Sequence, residues 1–456
     1  MALGRRKDRR EQELFVATDQ LAQAPGHVFY RKLNQLLAEH GFDEFVEELC
    51  RESYSDGTGR PSIPPGVYFR MHFVGYFEGI ESQRGVCWRC ADSRSLAEFL
   101  GYGPTESTPD HSSLTRVRQR LSPEIHERVF CWVLSLAEEK KLLKGKTVAV
   151  DATTLEANAA MKSIVRKETG EDYKEYLRGL AREAGMEDPT EEELRRFDRK
   201  RADKRISNEE WESPTDPDAR VARMKDGRTR LAYKAEHVID LETEVILGAT
   251  IRPADEGDAE SLVDGVLEAE ANLQSAEPSR EIKEVVADKG CRKTSTLELC
   301  RDLGMRTYIP EPSAPHRRDW TDKPPSQRQA VYENRRRMGR AKGKALQKLR
   351  SERVERSFAH VCDSGGARRT WLRGLVDVTK RYLTVVAGHN LGVILRKLFG
   401  AGKPRRLQGA GGLAALAPIV GDRLRRLLRA LAGSPGPFAP RPIDAPRSSF
   451  AEGVAA

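Results

Sequence analysis

Two short apolar runs in this chain each arrive at an aspartate. In "TVAVDATT", residues 147–154, the β-prone run from Thr147 to Val150 ends on Asp151; in "EVVADKG" the run from Val285 to Ala287 ends on Asp288. If both runs are strands of one sheet, the two carboxylates stand side by side at its edge. A third acid is then wanted. In "KLRSERVERSFAHV" the apolar positions Leu349, Val354, Phe358 and Val361 recur at helical spacing, and Glu355 sits beside that stripe, with Glu352 one turn earlier as its competitor. Oxygen donors converging from separate elements suit Mg²⁺ or Mn²⁺, and three carboxylates can hold two ions roughly 3.5 to 4 Å apart. Such a pair clamps a phosphodiester for in-line displacement. One aspartate at a strand end is ordinarily a turn or cap residue; three acids with a basic segment running into the third favour the phosphodiester chemistry.

The elements that must position these acids read as follows. After residues 147–154 comes a polar, charge-dense stretch from about 155 to 225, expected to be a solvated helical insertion. "RTRLAYKAEHVID" and "TEVILGATIRP" read as a hairpin, "EGDAESLVDGVLEAEANL" as an amphipathic helix with Asp258 as N-cap, and "EIKEVVADKGC" as a strand. "KTSTLELCRDLG" reads as a helix closed by Gly304, and "MRTYIP" as a short strand ended by Pro310. The order β, insertion, ββ, α, β, α, β implies an α/β domain with a mixed sheet.

The first 145 residues read as helical, with "STPDHSSLTRVRQRL" resembling the second helix of a helix-turn-helix, N-capped by Asp110 and carrying Arg116, Arg118 and Arg120. Arginines two apart do not share one helical face, so the alternative is an ordinary core helix. Lys and Arg number 78 against 69 Asp and Glu, a net +9, and residues 313–360 alone carry fourteen basic residues against five acids. That segment, with Arg335, Arg336, Arg337, Arg340, Lys342 and Lys344, therefore matches the entire excess charge, which favours a phosphate backbone as partner. Cys87 and Cys90 form a CxxC without a second pair at zinc spacing, so they read as two cysteines of a mostly buried helix. The apolar stretches near 383–395 and 411–420 are too short to span a bilayer, and no secretory signal is seen, so a cytoplasmic protein with reduced thiols is expected. The Pro/Gly/Arg-rich segment 401–456 reads as an accessory extension.

Taken together, "PDHSSLTRVRQRL", "KGKTVAVDATTLEANAA", "TDPDARVARMKDGRTRLAYKAEHVID", "VVADKG", "RSERVERSFAHVCDSGGARRTWLRG" and "KRYLTVVAGHNLG" resemble the DDE transposases of bacterial insertion sequences. The resemblance implies an RNase H-like catalytic domain over 146–400, preceded by an all-α domain over 1–145. It implies Asp151, Asp288 and Glu355 as the catalytic triad, with Glu355 preferred to Glu352 because it stands in a family-like "VExxF" setting. It also implies two Mg²⁺ or Mn²⁺ ions, DNA partners (the element's inverted-repeat ends and a target), and a homodimer on DNA in the cytoplasm, associated with the nucleoid. Relatives often carry a basic residue two turns after the catalytic glutamate. Val361 and Cys362 stand there in this chain, so the contact is missing or comes from Arg356, Arg368 or Arg369. An RNase H-like nuclease that cuts without joining, and a non-catalytic regulator descended from a transposase, are the rival readings.

Overall fold

The computed structural model describes residue 17 and residues 26–407, apart from 56–58, 60, 203–205, 225, 313–319 and 322. Most of the accessory extension, from 408 on, and part of the basic segment, 313–319 and 322, lie outside those residues. The N-terminal region is helical: α1 Val28–Glu39, α2 Phe42–Cys50, α3 Pro65–Glu78, α4 Gln83–Asp92, α5 Arg94–Phe99, α6 His111–Arg120 and α7 Pro123–Glu139. Pro65 opens α3, where a missing N–H costs nothing, and Gly79 closes it at φ 69°, a conformation glycine adopts without penalty. Asp110 caps α6 by accepting from the Ser113 N–H at 2.8 Å. Cys87 and Cys90 are both buried on α4.

The sheet begins with β1, Thr147–Glu156. The expectation that this strand stops at Asp151 is corrected: it runs five residues further, because its partner β5, Thr229–Asp240, is long enough to pair with it from Val148 through Glu156. The insertion contributes β2 Val165–Arg166 and β3 Trp211–Glu212, a short pair, and two helices, α8 Tyr173–Glu183 and α9 Glu191–Lys200. Those helices close a small core of Leu177, Ala181 and Leu194, and α9 starts with a capping box between Thr190 and Glu193. β4 Arg220–Arg223 and β6 Ile246–Pro253 share one edge of β5, both antiparallel. On the other side β1 pairs parallel with β7, Glu284–Val286, and β7 parallel with β8, Arg306–Tyr308. Antiparallel pairing among β4, β6, β5 and β1, followed by parallel pairing of β1 with β7 and of β7 with β8, makes the six-stranded mixed sheet expected of an RNase H-like domain.

Helix α10, Asp258–Ala276, follows β6, and α11, Thr294–Asp302, links β7 to β8. Gly257 rather than Asp258 is the cap of α10; Asp258 is its first residue and pairs with Lys234 at 2.7 Å. After β8 come α12 Pro325–Met338, α13 Ala341–Phe358 and α14 Leu375–Phe399. α14 is buried along most of its length and packs against α3, α7 and β6, so the helical region and the sheet share one core. Asn390 on α14 clasps Ile246, accepting from its N–H at 3.0 Å and donating to its carbonyl at 2.8 Å. Among the described residues no helix is long and apolar enough to cross a membrane.

Candidate active site

Parallel register, rather than a shared strand end, brings the two aspartates together. Thr147 lies against Glu284, Val148 against Val285 and Ala149 against Val286. Extended two positions, that alignment puts Asp151 beside Asp288, which has just left β7. Both side chains reach solvent, at 32% and 50% exposure, so the pair can meet a large substrate.

One cation joins them. Arg350, buried on α13, places a guanidinium nitrogen 2.8 Å from Asp151 Oδ2 and another 3.9 Å from Asp288 Oδ1. Neighbouring contacts fix the helix that carries it. Gln347 donates to the Ala287 and Tyr308 carbonyls at 3.1 and 2.6 Å, and Lys342 pairs with the buried Glu284 at 2.5 and 2.8 Å. Burial opposes the Glu284 charge, but Lys342, Thr147 and Tyr308 outweigh it and keep its pKa below the usual carboxylate value. The negative field of Asp151 is also felt at Cys291: burial first, then Asp258, Asp151 and Glu236, push that thiol up to about 12.

Behind the acids lies a buried polar cluster that spacing did not disclose. Directly across from Asp151 on β5 is His237, on the same face of the sheet. Its ring nitrogens meet Ser357 Oγ at 2.9 Å and the Tyr382 hydroxyl at 2.8 Å, and its ring stacks on Phe358 at 4.1 Å. Burial lowers its pKa to about 3, so it is neutral and acts as a pin that fastens α13 and α14 to the sheet. A π-helical turn, Ala359–Asp363, follows α13. Such turns are frequent at functional sites.

Glu355 lies near the C-terminal end of α13. It is exposed, its side chain makes no ion pair or hydrogen bond with a described residue, and no group of three or more His, Cys, Asp or Glu among the described residues is arranged to hold a metal. Its flank of α13 is nevertheless informative. Arg353 bonds the Leu241 carbonyl and lies 3.9 Å from Glu244, at the β5–β6 hairpin, which sits at the N-terminal end of β1. Two residues along a helix is a rotation of about 200°. Glu355 therefore leaves α13 on a different flank from Arg353, and it lies five residues, a rotation of about 140°, from Arg350. Glu352 is exposed and pairs instead with Arg356, which also holds Glu244 at 2.5 Å.

The basic residues separate into two groups. Arg118 is corrected out of the DNA-facing set: it is buried, donates to Gln83 at 2.9 Å, pairs with Asp377 at 3.2 Å and lies over the Trp371 ring. Arg116 and Arg120 on the same helix are exposed. On α12 and α13, Arg337 donates to the Thr307 carbonyl at 3.0 Å, Arg335 to Glu311 at 2.8 Å, and Lys342 serves Glu284, whereas Arg336, Arg340 and Lys344 are exposed. Arg368 donates to Thr153 at 3.0 Å, two residues beyond Asp151 on the same face of β1. Past it, Arg369, Arg373, Arg228, Arg230 and Lys162 line an open groove where β1 ends, and within it Glu156 is paired to Arg230 at 2.5 Å. Those groove cations are scattered through the sequence, so no charge run revealed them.

Comparison with known families gives two matches. A family model described as Transposase domain (DUF772) matches residues 17–120, and one described as Transposase DDE domain matches residues 274–395. The second spans Asp288 and Glu355; Asp151 lies between the two matches. No curated protein and no solved structure shows a significant match.

Proposed function

Since the chain belongs to the DDE transposases of bacterial insertion sequences, we propose that Asp151, Asp288 and Glu355 form one phosphodiester-cutting centre acting on the DNA ends of its own element. The observation that carries this reading is the register-matched pair Asp151 and Asp288, both met by the Arg350 guanidinium. The gap between them accommodates positive charge, and their oxygens are the hard donors that Mg²⁺ or Mn²⁺ takes. Glu355 would complete the set from α13, so that Asp151, Asp288 and Glu355 together would hold the ions. When bound, such ions activate the attacking oxygen and stabilise the leaving one.

The chain's own residues hold the strand. Arg368 at Thr153 and the groove cations Arg369 and Arg373 offset phosphate charge next to the acids, while Arg116 and Arg120 on α6 and the exposed Arg336, Arg340 and Lys344 add contacts further out. Arg356 is committed to Glu244 and Glu352 and contributes only if those pairs open. Water cuts at the element end, and the freed 3′-hydroxyl then attacks target DNA, in a homodimer that holds both ends. The deciding experiment incubates purified protein with Mg²⁺, a labelled terminal-repeat duplex and a plasmid target. Labelled end joined to plasmid is the expected product; cutting without joining would identify a nuclease, and neither would leave a DNA-binding protein.

A further inference from the structure

On the side of α13 away from the acids, α14 and the chain after it enclose a cavity of about 490 Å³. Its walls carry Arg356, Arg396, Lys403, Arg405, His360 and His389. Among the described residues, the carboxylate serving this wall is Glu244, which pairs with Arg356 at 2.5 Å and Arg396 at 3.3 Å, with Glu352 also on Arg356. Lys403 and Arg405 have no carboxylate partner among those residues. Lys403 instead donates to Ser364 Oγ at 2.7 Å and sits over the Tyr76 ring.

Two features mark the cavity as built for an occupant. Gly392 on α14 and Gly402 approach so closely that a Cβ on either would meet the other's carbonyl oxygen, at 2.9 and 2.6 Å, and this approach brings Lys403 and Arg405 to the wall. His389 is 5% exposed and lines the cavity, its Nδ1 lies 3.2 Å from the Tyr76 hydroxyl, and its buried Nε2 has no hydrogen-bond partner among the described residues. An orphaned buried polar atom is costly, and the cost is relieved by a ligand. If the Tyr76 hydroxyl donates to Nδ1, the ring proton is on Nε2, which makes it a donor. A donor ringed by cations suits an oxyanion with several acceptor oxygens. Burial also lowers Lys403 to about 8, with Arg405 adding to the shift, a penalty that an anion would offset.

We propose that this cavity is a phosphate site, separate from the catalytic acids, which takes either a phosphodiester of bound DNA or a free phosphate compound. The DNA source rests on the transposase reading; the anion site does not. Titrating inorganic pyrophosphate into the full-length protein at fixed ionic strength should give saturable binding. Lys403→Met and the exposed Arg405→Gln should each weaken it at least tenfold, with unchanged circular dichroism. Displacement of pyrophosphate by duplex DNA identifies the backbone as the source, and its persistence beside DNA identifies free phosphate. Absence of saturable binding, or equal binding by wild type and both variants, overturns the site. Glu355→Gln should bind pyrophosphate normally while losing strand joining, so failure of the catalytic reading and failure of this site are read separately.

Discussion

Arg350 reaches Asp151 at 2.8 Å from a helix that begins almost two hundred residues later in the chain, and the same guanidinium faces Asp288. Its positive charge offsets the mutual repulsion of the two carboxylates. Arg350→Met should therefore lower the thermal midpoint of the metal-free protein and tighten Mn²⁺ binding several-fold, because ions no longer compete with a tethered cation. Calorimetric Mn²⁺ titration and melting curves with and without Mn²⁺ measure both. Unchanged values in both assays would reduce Arg350 to an incidental neighbour.

The triad assignment predicts a pattern across four conservative variants. Asp151→Asn, Asp288→Asn and Glu355→Gln remove charge and keep size, so cleavage and joining should fall together by a factor of 10³ or more, on the order of 4 kcal/mol of lost transition-state stabilisation. Glu352→Gln should stay within a few-fold of wild type, since Glu352 is spent on Arg356. Metal-free DNA binding should be unchanged or slightly tighter in all four. Normal cutting by Asp151→Asn would end the assignment.

Much of this site was legible because strands announce themselves through apolar, β-branched runs, and both aspartates punctuate such runs. What was not legible depended on partners. Asp151 looked like a strand end because polar residues follow it, yet β5 supplies backbone partners as far as Glu156, and pairing outweighs local composition. Arg118 looked like part of a DNA-reading stripe because its neighbours are arginines, but Asp377, 259 positions away, claims it. Arg350 was one cation in a basic run, and only the packing of α13 across the sheet distinguishes it from the exposed Lys344 or Lys348. Glu355 was preferred to Glu352 by its family-like setting alone, and the Glu352 pair with Arg356 is a contact that the sequence did not disclose.

The division of α6 predicts opposite phenotypes for neighbouring arginines. Arg116→Ala and Arg120→Ala, on exposed positions, should cost about 1 to 3 kcal/mol on the cognate end and little on random DNA if the helix reads bases. Arg118→Ala should instead destabilise the fold by about 2 kcal/mol, since Gln83 and Asp377 lose a charged partner. Binding isotherms on two duplexes and urea melts separate the two effects. Equal losses on both duplexes for Arg116 and Arg120 would limit α6 to backbone contacts.

Acid sensitivity should come from buried histidines. His72, His126 and His237 are depressed to about 3, 4 and 3, in each case chiefly by burial, whereas in the unfolded chain each titrates near its ordinary value of 6.5. Below pH 6.5 the unfolded state therefore binds protons that the folded state refuses, so stability falls as pH drops and the loss is complete only below the folded values. Burial also holds His389 well below 6.5, and the four groups together give a slope of about 5 kcal/mol per pH unit once the unfolded histidines are charged, between roughly pH 5.5 and 4. Urea melts across pH 7.5 to 4.5 should show a plateau at the upper end and a steep decline beneath 6.5. His237→Gln should lower stability at pH 7.5, where the contacts to Ser357 and Tyr382 are weakened. It should also remove about a quarter of the acid slope, because one of the four refused protons is gone. A variant with the full wild-type slope would show that His237 is already protonated in the fold and cannot be the neutral pin between the sheet and α14.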